Sequence, residues 1–192
     1  MGIPSTISYF DDFDAPDNQW RFLSNFYVGK PIIFGKYVAL TGEHLFQAMK
    51  ARDGMHFRKI LAASTPGHAK AEGRHLLGLR PDWERVKLDV MRYVLACKFT
   101  LARDEGSMLL ATENALLVEG TYWNDRVWGM ALPRGEGKEP GDGWATAAGR
   151  NWLGTLLMAR RAELFAELAG EPPFPYAETL DFIRYRPATP DT

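Results

Sequence analysis

The stretch from Asp82 to Arg103 constrains this chain more than any other, because it is the longest segment with a sustained helical period. Val86, Val90 and Val94 recur four apart, while Leu88, Met91 and Leu95 widen the stripe into a broad apolar face. A helix of that kind has to be covered by other elements, so it is the expected central buried helix. Cover is available: 46% of the 192 residues are hydrophobic and 24% charged, the balance of a globular chain long enough to build a core without staples.

The flanking segments supply smaller elements. Ile32-Ile33-Phe34 and Tyr37-Val38-Ala39-Leu40 surround Gly35-Lys36, which predicts a hairpin. Thr41 is placed to cap a helix starting near Gly42, with Leu45, Ala48 and Met49 on one side and Glu43, Gln47 and Lys50 on the other. A short helix is predicted over Phe57–Ala63. Thr65-Pro66-Gly67 starts another that runs through Leu77 and carries Lys70 and Arg74 four apart. Leu116-Leu117-Val118 reads as a strand leading into the loop Glu119–Gly129, and Leu132–Gly149 as a surface loop rich in Gly, Pro and charge. Asn151 is the expected cap of a last helix whose core stripe is Leu153, Leu156, Leu157, Leu164 and Phe165. There is no internal repeat and no low-complexity tract. The expected layout is an acidic, irregular extension over residues 1–20, one domain over 21–170, and a Pro-rich tail over 171–192 packed on the domain or trailing from it. The fold class is mainly α (α+β with a small β element), in a single compact helical domain.

Charge and cysteine content exclude several classes of function. Lys+Arg total 23 against Asp+Glu 24, a net charge of −1, which argues against bulk nucleic-acid binding but leaves room for one phosphorylated small molecule. Cys97 is the only cysteine, so an intramolecular disulfide and a Cys-rich metal site are both ruled out; it lies mid-helix among apolar neighbours as inert packing. His44, His56, His68 and His75 lack metal-ligand spacing, and neither a P-loop nor a dinucleotide fingerprint is present, so no metal or organic cofactor is expected. No apolar run approaches the roughly 20 residues that span a bilayer, so no membrane partner is expected. Met1-Gly2-Ile3-Pro4-Ser5 lacks the features of a signal peptide, which makes the cytoplasm the expected compartment.

Two stretches concentrate groups with chemistry. Glu43, Gln47 and Lys50 put a carboxylate, an amide and an amine on one helical stripe, which is either the wall of a polar pocket or a solvated face. The helix N-terminus favours ionised Glu43, whereas burial among aromatics would raise its pKa. His44 faces elsewhere and reads as a structural histidine with both ring nitrogens satisfied. The second stretch, Glu119 to Gly129, holds Trp123, Asn124, Asp125 and Trp128. Indoles offer stacking surface to a flat heterocycle, and carboxylates stabilise positive charge or take a proton. The alternative is a turn whose Trp residues anchor the loop to the core. Lys70, Arg74, Lys98 and Arg150 are phosphate candidates by charge-assisted bonding, or separate surface charges. Phe22–Tyr27 either offers Ser24 and Asn25 between aromatic anchors or packs as a strand on the core.

A longer ordered series runs through the same segments. It begins with Phe22-Leu-Ser-Asn-Phe26, then Glu43-His44, Phe46-Gln47-Ala48 and Lys50-Ala51, then Thr65-Pro66-Gly67, Ala69-Lys70 and Gly73-Arg74. Trp83, Lys87, Met91, Lys98-Phe99 and Leu109-Leu110-Ala-Thr112 follow. It closes with Leu117-Val-Glu119-Gly-Thr121, Trp123-Asn124-Asp125, Trp128-Gly129, Asn151, Leu153-Gly154 and Leu157-Met158. This series, spanning Phe22 to Arg161, resembles the YbiA/NADAR family. The chain departs from compact members in a longer, more charged loop over Pro133–Gly149 and in extra residues at both termini.

The resemblance implies a mostly helical domain and cleavage of a bond between a ribose anomeric carbon and a nitrogen. Some members act on phosphoribosylated aminouracil intermediates of riboflavin biosynthesis, and others remove ADP-ribose from guanine. It also implies that the Glu43 stripe and the Trp123–Gly129 loop wall one pocket, with Glu43 and Asp125 as the catalytic carboxylates. Trp123 and Trp128 then pack on or shape the heterocycle site, Asn25 and Asn124 bond its polar edge or the ribose, and Gln47, Glu119 and Asn151 are further substrate-binding residues. Lys50, Lys70, Arg74 and Lys98 are left to bind phosphate and balance charge. The expected partner is a phosphorylated riboside or an ADP-ribosylated guanine. A non-catalytic sensor of an ADP-ribose-like nucleotide is the remaining alternative.

Overall fold

The computed structural model describes residues 6–8, 18–121, 123–131 and 148–174. In chain order the elements are β1 (Thr6–Ser8), a 3₁₀ turn (Arg21–Leu23), β2 (Ile32–Phe34), β3 (Tyr37–Ala39), α1 (Gly42–Ala48), α2 (Gly54–Leu61) and α3 (Pro66–Arg74). Then come α4 (Trp83–Lys98), α5 (Asp104–Leu110), β4 (Leu116–Val118), β5 (Gly120–Thr121), β6 (Met130–Ala131), β7 (Ala148–Gly149) and α6 (Trp152–Leu168). The fold is mainly α with small β elements. The chain divides into two units, one of Asn25–Lys98 with Pro173–Thr192, the other of Met1–Ser24 with Phe99–Pro172.

In the first unit β2 and β3 form the expected antiparallel hairpin, Ile33 opposite Val38. Alternation buries Ile32 and Phe34 and leaves Ile33 outside. The Thr41 hydroxyl caps α1 by accepting from His44 N, and Thr65 caps α3 in the same way through His68 N. Each such cap contributes about 1 kcal/mol. The second helix starts at Gly54 rather than Phe57, because the Asp53 carboxylate accepts from His56 N at 2.9 Å and nucleates a turn earlier. The third stops at Arg74 rather than Leu77, whose side chain is wholly exposed. Helix α4 buries Val86, Val90, Met91, Val94 and Leu95, as its period predicts. It stops at Lys98, short of Arg103.

In the second unit Phe99 opens the turn that ends the long helix, and its carbonyl accepts from buried Arg160 Nε at 2.9 Å. A separate short helix, α5, follows over residues for which the sequence predicted no element. The Phe22 region forms a 3₁₀ turn rather than a strand, with Ser24 N donating to Arg21 O at 3.0 Å. Residues read as an irregular N-terminal extension include β1, which pairs in parallel with β4, Thr6 opposite Leu116. Parallel pairing with a strand so remote in sequence leaves no local signature. Short β5, β6 and β7 make a second small sheet, β6 central.

Helix α6 packs on β4 and buries Leu153, Leu157 and Leu164, while Phe165, expected in that stripe, is 46% exposed. Arg160 and Arg161 are buried in its place. Arg161 donates to Thr112 Oγ1 at 2.7 Å and Ala115 O at 3.0 Å, groups just beyond the end of α5, so its charge is buried with acceptors. The expected surface loop Leu132–Gly149 lies outside the described residues except for Ala148–Gly149, as does the tail beyond Phe174.

Candidate active site

In the first unit every residue from Thr41 to Ala48 is buried. The polar stripe of α1 is therefore no solvated face: Glu43 is 6% exposed and Gln47 3%. Helices α2, α3 and α4 all pack against α1 and close over it. Its N-terminus is pinned twice. Glu43 N donates to the carbonyl of Asn25 at 2.9 Å. His44 Nε2 lies 3.0 Å from Ala63 O; a carbonyl only accepts, so that nitrogen carries the proton and Nδ1 accepts from the Thr41 hydroxyl at 2.8 Å. Burial holds His44 below its ordinary pKa. It is the structural histidine expected.

Glu43 is the centre of the charge arrangement. Gln47, one turn on, donates Nε2 to Glu43 Oε1 at 2.7 Å. Burial raises the Glu43 pKa above its usual value; Lys70, the Gln47 bond, Lys50 and Arg74 oppose that rise, in that order. Lys50 is held below the ordinary lysine range, first by burial, then by the like charges of Lys70 and Arg74, with Glu43 acting the other way. Each lysine of the region also lies over an aromatic face. Lys50 Nζ is 5.2 Å from the Phe46 ring centre and 5.5 Å from that of Trp83, and Lys70 Nζ is 5.1 Å from Phe26. Lys98 Nζ is 5.8 Å from Tyr27. Sequence reasoning took Phe26 and Tyr27 only as anchors beside Ser24 and Asn25 and gave Phe46 and Trp83 no role, although Trp83 opens α4. Cation–π contact offsets part of the desolvation of an amine that has no water shell.

Asn25 contributes its backbone to Glu43, and its side chain turns inward: Nδ2 points at Met91 Sδ, 3.1 Å away. Asn25 Oδ1 and Gln47 Oε1 are buried without a hydrogen-bond partner among the described residues. Both lie against glycines, Gly42 and Gly73, where an added Cβ would come within 2.7 Å and 2.0 Å respectively. Contact with Cα–H groups is the weak donor available to each.

The second unit carries the other expected site residues. The Asp125 carboxylate, half-exposed, uses Oδ1 to accept from Val127 N and Trp128 N, both at 2.9 Å, and its backbone is tied to the Thr121 hydroxyl. Asn124 has a left-handed backbone (φ 63) and accepts from Arg126 Nε at 2.8 Å. Trp123 is 51% exposed and Trp128 half-buried, whereas Glu119 is buried. The carbonyls of Val127 and Trp128 accept from Trp152 N and Leu153 N, so this loop satisfies the open N–H groups at the start of α6. That corrects the expected capping by Asn151. Asn151 stands at the cap position with φ 47, and its side chain makes no cap bond. Its amide instead bridges strand backbone, Oδ1 accepting from Glu119 N at 3.0 Å and Nδ2 donating to Leu117 O at 2.9 Å. No group of three or more His, Cys, Asp or Glu side chains is arranged to hold a metal among the described residues. Nor is any described helix long and apolar enough to cross a membrane.

The sequence signature of the NADAR domain matches residues 12–165. The chain belongs to the NADAR family. This NADAR chain is 37% identical over 157 residues to the N-glycosidase YbiA of Shigella flexneri serotype 5b (strain 8401), an alignment covering 81% of this chain and 89% of that protein. Its fold is similar to the NMR structure of the Escherichia coli protein YbiA, with a TM-score of 0.68 at 34% identity over 90% of this chain and 91% of that one. A riboflavin biosynthesis protein of Vibrio vulnificus is 32% identical over 153 residues, 79% of this chain and 38% of that protein. Family and relatives together make this NADAR chain an enzyme, a hydrolase of the N-glycosidase class.

Proposed function

We propose that this enzyme hydrolyses the ribose–nitrogen bond of phosphoribosylated aminouracil intermediates of riboflavin biosynthesis. The observation that carries the reading is the buried Glu43 carboxylate in the field of Lys70, Lys50 and Arg74. One carboxylate among three cations suits a substrate that brings its own negative charge and becomes cationic only at the reacting carbon. The similarity to a riboflavin biosynthesis protein favours the aminouracil leaving group.

In this reading the carbon–nitrogen bond lengthens first, and positive charge spreads over the anomeric carbon and ring oxygen. Glu43, ionised, stabilises that charge and orients the attacking water. The water oxygen bonds to the anomeric carbon, its proton passes to a carboxylate, and the departing nitrogen takes up a proton. Asp125 is the second carboxylate, assisting water or the leaving group. Lys70, Arg74, Lys50 and Lys98 hold phosphate, and Trp123, Trp128 and Asn124 serve the heterocycle.

The test incubates the purified protein with ribosylaminouracil phosphates and, separately, with ADP-ribosylated guanosine, and resolves base and sugar by chromatography. Base release from the aminouracil substrates is the expected result. Release from the guanosine alone overturns the substrate in favour of guanine-linked ADP-ribose, and tight binding of either without release makes the protein a nucleotide sensor.

A further inference from the structure

The amide of Gln47 is held unevenly. Its Nε2 end donates to Glu43 Oε1 at 2.7 Å, while its Oε1 end is buried with no hydrogen-bond partner among the described residues. That oxygen rests on Gly73, in the last turn of α3. A Cβ built on Gly73 would fall 2.0 Å from Gln47 Oε1, 2.9 Å from its Cδ and 3.0 Å from its Cβ. All three neighbours belong to Gln47, so the space a side chain would need at position 73 is the space the Gln47 side chain fills.

Gly73 is not there for its backbone. It lies inside a helix with no left-handed angle, where glycine is about 1 kcal/mol worse than alanine. Helix closure at this point does not need it either, since α3 ends through His75 N donating to Ala71 O and Glu72 O. What needs a missing Cβ is the route of Gln47 toward Glu43. That bond engages Glu43 Oε1 and leaves Oε2 outside it.

We propose that Gly73 is a positioning residue: by omitting a side chain it seats the Gln47 amide, which fixes Glu43 with one oxygen engaged and the other presented to substrate. The proposal rests on Glu43 being the working carboxylate of the proposed reaction, and it extends the site to a helix that otherwise supplies only cations.

The experiment compares Gly73→Ala, Gln47→Ala and the double variant. Two quantities are read: the acid limb of the pH–rate profile for base release, and the Glu43 carboxyl titration by carbon-13 NMR without substrate. Because the Gln47 bond favours the ionised carboxylate, Gly73→Ala is expected to move both to higher pH and to reduce turnover about 10- to 100-fold, the scale of an ångström-sized misplacement. Gln47→Ala, which removes the two closest atoms at position 73 and keeps only the Cβ at 3.0 Å, shifts the limb in the same direction. In the double variant the added methyl meets no amide, so no further shift appears and the pair is non-additive. An unmoved titration in Gly73→Ala or in Gln47→Ala overturns the proposal, as does full additivity in the double variant. If Gly73→Ala does not fold, Gln47→Ala and the double variant still decide it. Absence of base release from every riboside would defeat the reaction while leaving the carboxyl titration to judge the positioning.

Discussion

Glu43 and Asp125 are the two carboxylates of the proposed chemistry, and their surroundings differ in kind. Glu43 sits on a helix whose every residue is buried, bonded to a neighbouring side chain and surrounded by side-chain cations. Asp125 sits half-exposed in a loop and accepts from the backbone two and three residues ahead. In the first region rigid packing lets side chains set one another's charge. In the second the backbone makes the structure, and side chains such as Asp125 and Asn151 brace it. A carboxylate of the first kind is displaced from its ordinary ionisation, which is what acid–base chemistry draws on. One of the second kind has a structural duty that any catalytic role must share.

The largest expected effect tests that division directly. Glu43→Gln keeps the shape and removes the charge, and should lower turnover by roughly 10²–10⁴-fold with the fold intact by circular dichroism. Asp125→Asn keeps an Oδ1 that still accepts from Val127 N and Trp128 N, so it isolates chemistry from loop structure. It should lower turnover by about 10²-fold with no loss of thermal stability. Full turnover in Asp125→Asn would leave Asp125 a loop brace and Glu43 the sole acid–base group.

A smaller effect probes the backbone-built region. Asn151→Ala leaves Leu117 O and Glu119 N without their partner and puts a Cβ-bearing apolar residue at φ 47. Chemical denaturation should show a loss of about 3 kcal/mol, combining an unsatisfied buried pair with left-handed strain. Asn151→Gly relieves the strain and should recover about 1 kcal/mol of that loss. Equal losses in the two variants would mean that the bridging bonds alone matter.

The smallest effect concerns stability against pH. Burial raises the Glu43 pKa, so the folded protein holds that proton more tightly than the unfolded chain does. The resulting stabilisation is fully present below the ordinary value of 4.5 and is lost as pH rises through the folded-state pKa. Melting curves of Glu43→Gln, which has no such proton, should therefore lie above those of the unmodified protein near neutral pH and converge with them in acid. A gap that is constant with pH would show that Glu43 is not under strain from burial.

Much of the first unit was legible along the chain because its signals are local. Thr41 and Thr65 announce helix starts through bonds to residues three ahead, Gly35-Lys36 marks a turn, and the period of Val86, Val90 and Val94 marks a buried face. The spacing of Glu43, Gln47 and Lys50 put them on one stripe, yet an exposed polar face has the same spacing. Phe165 shows the converse: hydropathy placed it inside, yet it is exposed, while Arg161 is buried against acceptors beyond α5 that no local signal announces.

Sequence alone determined where α1, α3, α4, α6 and the hairpin begin, that α4 has one broad buried face, and, through an ordered set of motifs, the family. Those properties depend on neighbours within a turn or two, or on a pattern of residues independent of conformation. Tertiary structure decided that the α1 stripe is buried, that β1 joins β4, that the loop after β5 satisfies the start of α6, and that Gly73 yields its space to Gln47. Burial, remote pairing and steric fit are properties of surfaces brought together only by folding. A carboxylate's ionisation follows the same rule, since desolvation and the field of distant cations have no counterpart in the extended chain.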